Sequence, residues 1–314
     1  MTEGGASAAH RAEYLALRGL IGALGALEPG RAAALGARAA RLGYWPLRVR
    51  RDVVVTQIGS AFPDWRPADV DRVARLAYEH LGRVTAETAL LPRLGRQGVL
   101  RLFEGVDGWQ VIADAMHGGR GLIITTGHLG NWEAAGAFLA ARGVPVDVVV
   151  RRMSNPLFDR YLNGTRAALG MRVVRDQDAV RQTARSVRAG RAVAFLTDQG
   201  VKHLASTFVP FFGRPAKTPR GPAVFALRWN VPMIFGAALR QPGGRYRLHL
   251  EHVAMTETGD RERDVDAAVG RYTEALERYV RMAPEQYFWH HRRWRRQPPG
   301  TPDPLEDPTA EDEE

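Results

Sequence analysis

Gly121-Leu-Ile-Ile-Thr-Thr-Gly-His128-Leu-Gly-Asn131-Trp-Glu133-Ala-Ala-Gly-Ala-Phe-Leu-Ala140 is the stretch from which the fold is read. Gly121–Thr126 is apolar and β-branched, which predicts a buried strand. Trp132 to about Ala140 reads as a helix. Asn131 is its N-cap, the side-chain oxygen accepting from a free first-turn N–H. His128 falls in the turn between strand and helix. Glu133 falls in the first helical turn, where the helix dipole favours its charge. On one helix a spacing of five would put these residues on different faces. With His128 in the turn, the two side chains can converge. The Glu133 carboxylate would then hold one imidazole N–H and leave the other nitrogen as a base. That is the base-and-orienter half of a triad without a nucleophile of its own. It suits an enzyme that activates a hydroxyl of its substrate. The competing reading is a structural histidine at a strand end and a glutamate placed for the dipole.

Outward from this stretch the pattern alternates. Strand Val146–Val150 leads to helix Pro156–Leu169. A short strand, Arg172–Val174, leads to helix Ala179–Ala189, which Gly190 closes. Strand Ala192–Thr197 ends at Asp198-Gln199-Gly200. The repeated unit predicts an α/β fold, a single domain with a largely parallel central sheet flanked by helices. Thr207–Phe212, Pro232–Leu239 and Arg245–Val253 are further strands. Gln241-Pro-Gly-Gly244 joins the last two as a hairpin, which predicts an antiparallel edge. A final helix covers about Asp264–Met282. Upstream, Ala68 to about Leu91 is a long helix that Pro92 ends. Arg11–Leu27 and Arg31–Leu42 are a pair of amphipathic helices broken at Glu28-Pro29-Gly30. Their basic faces fit a membrane surface, and their apolar faces fit packing on the core equally well. Met1–His10 and the acidic tail, residues 297–314, are expected to be disordered.

The 314 residues allow a sizeable core, and 45% hydrophobic with 25% charged residues is an ordinary globular composition. There is no cysteine, which excludes disulfides, thiolate metal sites and a cysteine nucleophile. No metal site is expected: His128 lacks a second histidine at zinc-protease spacing, and the adjacent His290 and His291 would point apart. Net charge is +10, and the stretch from Asp303 carries seven acids and no base, so the remainder is +17. Such a surface implies an anionic partner: nucleic acid, anionic lipid or an acidic carrier protein. A GC-rich genome that writes arginine freely explains the charge as well. Leu20–Leu27, between Arg18 and Glu28, is far too short to span a bilayer.

Other residues are candidates for a site. Arg151 follows a strand, and Asn155 with Pro156 starts a helix as N-cap and N1. In that helix Arg166 borders the stripe Phe158, Leu162, Thr165 and Leu169. It can reach a phosphate or carboxylate bidentately, or simply snorkel. Asp198 ends an apolar strand. If that strand and the one before His128 are parallel neighbours, both residues lie at the carboxyl edge, where α/β sheets bind ligands. Asp198 also reads as a plain turn former. Val209-Pro-Phe-Phe-Gly213 with the basic loop through Thr218 to Gly221 can line an acyl-chain site or bind an anion at a helix start. Core packing of Phe211 and Phe212 competes with that. Pro284–Arg296 sets aromatics beside arginines, a pattern that suits lipid headgroups or stacked bases.

Taken together, Ala61-Phe62-Pro63 with Glu87, Gly127-His128-Leu-Gly-Asn-Trp-Glu133, Arg151 with Asn155-Pro156, Asp198-Gln199, Val209-Pro-Phe-Phe-Gly213 with Thr218, and Pro284-Glu-Gln-Tyr-Phe-Trp-His-His-Arg-Arg-Trp294 resemble a known set. They resemble the lipid A biosynthesis acyltransferases, the lauroyl/myristoyl transferase family of the lysophospholipid acyltransferase superfamily, over about residues 45–296. The resemblance implies transfer of a fatty acyl chain from acyl carrier protein to a hydroxyl of a lipid A precursor at the cytoplasmic face of the inner membrane. No cofactor is implied beyond the carrier-protein thioester as donor. His128 corresponds to the catalytic base and Glu133 to its acidic partner. Asn155-Pro156 fixes the register that puts the family's arginine on Arg166, and its later aspartate falls on Asp198. Arg151, Asn155, Arg166, Asp198 and Thr218 are thereby substrate-binding candidates. Backbone N–H groups after Asn131, with Arg166, would face the oxyanion. Residues 1–44 become membrane-associated helices, 45–296 the acyltransferase domain and 297–314 the tail. One departure is the short, glycine-rich Leu20–Leu27, where relatives often carry a clear anchoring helix. Binding to anionic membrane is therefore expected to be peripheral or shallow. Two alternatives stand beside this: a related transferase for another glycolipid or aminolipid, such as a phosphatidylinositol mannoside, and a non-catalytic nucleic-acid-binding protein. No nucleic acid is expected, since the second explains neither His128 and Glu133 nor the lack of a recognisable binding motif.

Overall fold

The computed structural model describes residues 7–200, 204–298 and 300; residues 1–6 and, of the expected tail 297–314, all but 297, 298 and 300 lie outside them. In chain order the elements are helices α1 (Ala8–Gly25), α2 (Pro29–Tyr44), α3 (Arg51–Ala61) and α4 (Pro67–Arg101), strand β1 (Phe103–Asp107), helix α5 (Trp109–His117), β2 (Leu122–Thr126), α6 (Trp132–Ala141), β3 (Val146–Val150), α7 (Pro156–Ala168), β4 (Arg172–Arg175), α8 (Ala179–Arg188), β5 (Ala192–Leu196), β6 (Ser206–Phe211), β7 (Arg214–Pro219), α9 (Gly221–Trp229), β8 (Met233–Arg240), β9 (Tyr246–His252) and α10 (Arg261–Met282).

Seven strands form one sheet in the order β1-β9-β8-β2-β5-β3-β4. All pairs are parallel except the β8–β9 hairpin. The sheet buries both faces, as parallel sheets do, and β2 shows how. Leu122 and Ile124 enter a core with Ala134 and Phe138 of α6 and with Ile234. Ile123 points the other way, into a core with Met233, Phe235 and the apolar face of α10. The period of two is the strand's own, so a continuous apolar run is required here.

The structure differs from the sequence reading at several elements. Pro92 does not end α4. The helix runs on to Arg101 with a break at Gly95, whose φ is 61°. The hairpin after Gln241 is antiparallel, but it is not the sheet edge, because β1 pairs in parallel with β9 outside it. The basic stretch after Gly213 is not a loop. It is β7, paired antiparallel with β6 in a separate two-stranded ribbon. The aromatics of Pro284–Arg296 do not face lipid headgroups: Trp289 and Trp294 are fully buried and Tyr287 nearly so. Their arginine neighbour Arg293 is buried as well, donating to Lys217 O and Thr218 Oγ1 at 2.7 and 2.5 Å. The segment serves as a buried strap.

The N-terminal helices pack on the body through α2 and α4. Gly36 and Gly82 face each other so closely that a Cβ on either would overlap the other's carbonyl. Leu15, Leu20, Leu27, Leu35 and Leu42 stay exposed, followed by Trp45, Leu47 and Val49. Among the described residues, no helix is long and apolar enough to cross a membrane.

Candidate active site

Parallel pairing of β2 with β5 sets the site. Thr126 is level with Leu196, so His128 and Asp198, two residues beyond each strand end, emerge side by side at the carboxyl edge. Asp198 Oδ1 is 2.8 Å from His128 Nδ1, and Oδ2 accepts from the His128 backbone N–H at 2.8 Å. An anionic carboxylate there fixes the tautomer with hydrogen on Nδ1 and leaves Nε2 as a base. Burial pushes the Asp198 carboxyl up, but the His128 imidazole, the two bonds from His128 and the Arg293 guanidinium outweigh it and hold it at about 2. Burial, and then the Asp198 anion, keep the Tyr287 phenol far above its ordinary range.

Glu133 does not hold the imidazole. Its carboxylate takes a two-pronged contact from Arg166, Nε at 3.0 Å and Nη2 on the other oxygen, while Nη1 of Arg166 donates to Asn163 at 3.0 Å. The reason is geometric. Once the chain enters α6, the side chain of Glu133 leaves the helix toward α7, and the imidazole's Nδ1 side is occupied from β5. Both partners are buried to about the same degree, their side chains 14% and 9% exposed. With its fork so engaged, Arg166 is a poor oxyanion donor. The first-turn N–H groups of α6 remain suited to that task, since an α-helix offers them no internal acceptor.

The remaining candidates divide. Asn131 caps α6 through Ala134 N at 2.9 Å. Asn155 caps α7 as expected, accepting from Leu157 N at 3.0 Å. Its amide donates to His10 O and Glu13 Oε2 of α1, so it ties two helices together. Arg151 stays exposed beyond β3. Thr218 is fully buried against Arg293, and Phe211 and Phe212 are core.

Residues to which the sequence reading gave no role at the site hold the His128 loop in place. Phe288 N donates to His128 O at 2.9 Å, Gly130 N to Gln286 O at 3.0 Å and Asn131 N to Ala238 O at 3.0 Å. His80 Nε2 bonds Gly130 O at 3.1 Å; burial drives this imidazole down to about 4, the bond to Gly130 opposing. Gly130 has φ 60°, and a Cβ there would also strike Ala238 O. Glu87, bonded by Tyr246 and paired with Arg240, accepts from Asn131 Nδ2 at 3.2 Å. The motif Pro284–Trp294 was the visible signal, but its part in the loop depends on tertiary pairing.

Two spaces lie among the surrounding elements, neither of them lined by His128 or Asp198 themselves. A narrow apolar slot of about 60 Å³ runs under α6 between Trp132, Glu133, Arg166, Val148, Leu139 and Met171. A cleft of about 600 Å³ carries Arg83, Arg240, Arg247, His249, Glu79 and Glu285. His80 and Gln286 line both this cleft and a small cavity against the ring of His128.

A histidine at the carboxyl edge of a parallel sheet, bonded to a buried carboxylate and preceding a helix start, is an arrangement able to activate a hydroxyl. The sequence profile of the bacterial lipid A biosynthesis acyltransferases matches residues 16–296, and the chain belongs to that family. It is therefore an acyltransferase. It is similar to the lipid A biosynthesis acyltransferase of Haemophilus influenzae, 25% identical over 79% of this chain and 78% of that one. It is similar to the lipid A biosynthesis lauroyltransferase of Escherichia coli, 25% identical over 85% and 86%. It also matches the phosphatidylinositol mannoside acyltransferase of Mycobacterium tuberculosis, 27% identical over 54% and 55%.

Proposed function

We propose that the protein transfers a fatty acyl chain from an acyl carrier protein thioester to a hydroxyl of a lipid A precursor. The observation that carries this is the His128–Asp198 couple. His128 Nε2 takes the proton of the acceptor hydroxyl as its oxygen attacks the thioester carbonyl. Asp198 stabilises the imidazolium that forms. The carbonyl oxygen gains charge at the first-turn N–H groups of α6, and its collapse expels the carrier thiolate, which recovers the proton. Glu133 and Arg166 close the mouth of the apolar slot, which widens to seat the acyl tail. The polar cleft beside His80, with carboxylates and arginines together, suits the hydroxyls and phosphates of a sugar headgroup.

The relatives' names support a glycolipid acceptor of either kind, lipid A or phosphatidylinositol mannoside. Acyl transfer from carrier-protein thioesters to both acceptors, with products identified by mass, separates them. A product from neither would remove this reading.

The exposed leucines of α1 and α2, with Trp45, Leu47 and Val49 beside Arg48 and Arg50, suit shallow insertion into an anionic surface at the cytoplasmic face of the inner membrane. Co-sedimentation with anionic liposomes should weaken with salt. A protein that ignores such liposomes at low salt would not be peripheral in this way.

A further inference from the structure

A fourth space lies away from the active site, between α1, α4 and α7. It is a groove of about 400 Å³ and shares no lining residue with the slot, the cleft or the cavity against His128. Three arginines come to it from three helices: Arg18 of α1, Arg93 of α4 and Arg160 of α7. No aspartate or glutamate lines it. Most arginines of this protein with an acid in reach take it, as Arg166, Arg175 and Arg240 do. Among the described residues, Arg93 and Arg160 have neither an ion-pair nor a hydrogen-bond partner. Arg18 has only the face of Tyr161, its guanidinium carbon 5.3 Å from the ring centre. Three like charges converging without a counter-charge repel one another, and a bound anion removes that repulsion.

The floor is of a different kind. Gly22, Ala89, Gly164 and Ala168 give it shallow apolar walls. A Cβ built on Gly22 or Gly164 meets no atom within 4 Å, so the space above both is open. The walls are also held in register, because Asn155 at the head of α7 donates to His10 O and Glu13 Oε2 of α1 at 3.1 and 2.8 Å. That bond occupies Glu13, the acid of α1 within two turns of Arg18.

We propose that this groove binds a phosphate ester carrying an apolar chain, a phospholipid molecule, with the phosphate between Arg18, Arg93 and Arg160 and the chain over the small-residue floor. Guanidinium forks match phosphate oxygens in shape and charge, and an anion shared by three helices fastens α1 to α4 and α7. The site is separate from the reacting centre and does not depend on which acceptor is acylated.

Calorimetric titration of the full-length protein tests this, with a short-chain diacyl phosphatidylglycerol kept below its micelle concentration and, separately, with inorganic phosphate. The lipid should bind the wild type. The double variant Arg93→Ala/Arg160→Ala should bind it at least about tenfold more weakly. Arg185→Ala/Arg188→Ala, which removes the same charge from the exposed side of α8, should bind it as the wild type does. Gly164→Leu keeps every charge but fills the floor, and should also weaken lipid binding. Arginine-dependent binding of inorganic phosphate as well would show that the phosphate suffices; binding of the lipid alone would show that the floor is needed, and each agrees with the proposal. Absence of lipid binding, undiminished binding by Arg93→Ala/Arg160→Ala, or undiminished binding by Gly164→Leu would overturn it.

Discussion

Asp198 holds His128 at two points, its Oδ1 against Nδ1 and its Oδ2 on the backbone N–H of the same residue, each at 2.8 Å. The carboxylate thus sets the ring orientation, the tautomer and the loop at once. Asp198→Asn offers an amide in place of an anion and cannot stabilise an imidazolium. Turnover should fall by about 10²–10⁴, the usual contribution of a positioned base. Glu133→Gln should act mainly through stability. Steady-state rates set beside melting curves decide. A folded, stable Glu133→Gln with a lost rate, next to a near-normal Asp198→Asn, would return the orienting role to Glu133.

Glu133 and Arg166 form a buried pair, and removing one partner strands the other charge. Either single change, Glu133→Gln or Arg166→Met, should cost on the order of 3–5 kcal/mol in denaturant unfolding. The double variant should recover part of that loss. Arg166→Lys keeps charge but loses the fork and should fall between. Strictly additive losses would mean that the two are not coupled.

Stability should fall with acid in a defined window. His80, His290 and His291 are each held near 4 by burial, below the ordinary 6.5. The unfolded chain takes up these protons as pH drops through about 6.5, whereas the folded chain does not until about 4. Their contribution is therefore complete above 6.5 and lost on the way down to 4, up to about 3 kcal/mol each. Asp198 extends the loss from about 4 down to about 2, since its folded value lies below the ordinary 3.8. Melting temperature against pH should show this slope, and His80→Gln should flatten it between 6.5 and 4. An unchanged slope in His80→Gln would mean that His80 is protonated in the folded protein.

On the proposed seating of the acyl tail in the apolar slot, chain length becomes a matter of side-chain size. A Cβ on Gly136 already falls within 2.7 Å of Met171 Sδ. Val148→Phe should therefore shift the preferred donor to shorter chains without abolishing transfer. The same product distribution from a panel of acyl carrier thioesters would exclude the slot as the tail's seat.

The fold was legible where local signals agree. Gly121–Thr126 has the β-branched run and Asn131 the capping side chain, and both gave their elements directly. The neighbourhood of His128 and Asp198 could be stated as a condition, since strand order is not a local property. Glu133 misled because sequence proximity to His128 says nothing of which way the first turn of α6 faces. Arg166, thirty-three residues on, decided that. Trp289, Trp294 and Arg293 were misread for a similar reason. An aromatic and cationic run looks alike whether it meets lipid or a core, and only the partners Gln57, Thr218 and Phe211, far away in sequence, tell the two apart. β1 went unread because five residues with mixed burial carry little periodicity.

The most direct measurement is acyl transfer by the purified protein and by His128→Ala, from carrier-protein thioesters to lipid A precursor and to phosphatidylinositol mannoside, with products weighed by mass spectrometry. The wild type should form one acylated lipid. His128→Ala, melting as the wild type does, should form it at least about 10²-fold more slowly. Near-normal turnover by a folded His128→Ala protein would contradict the assignment of His128 as the base.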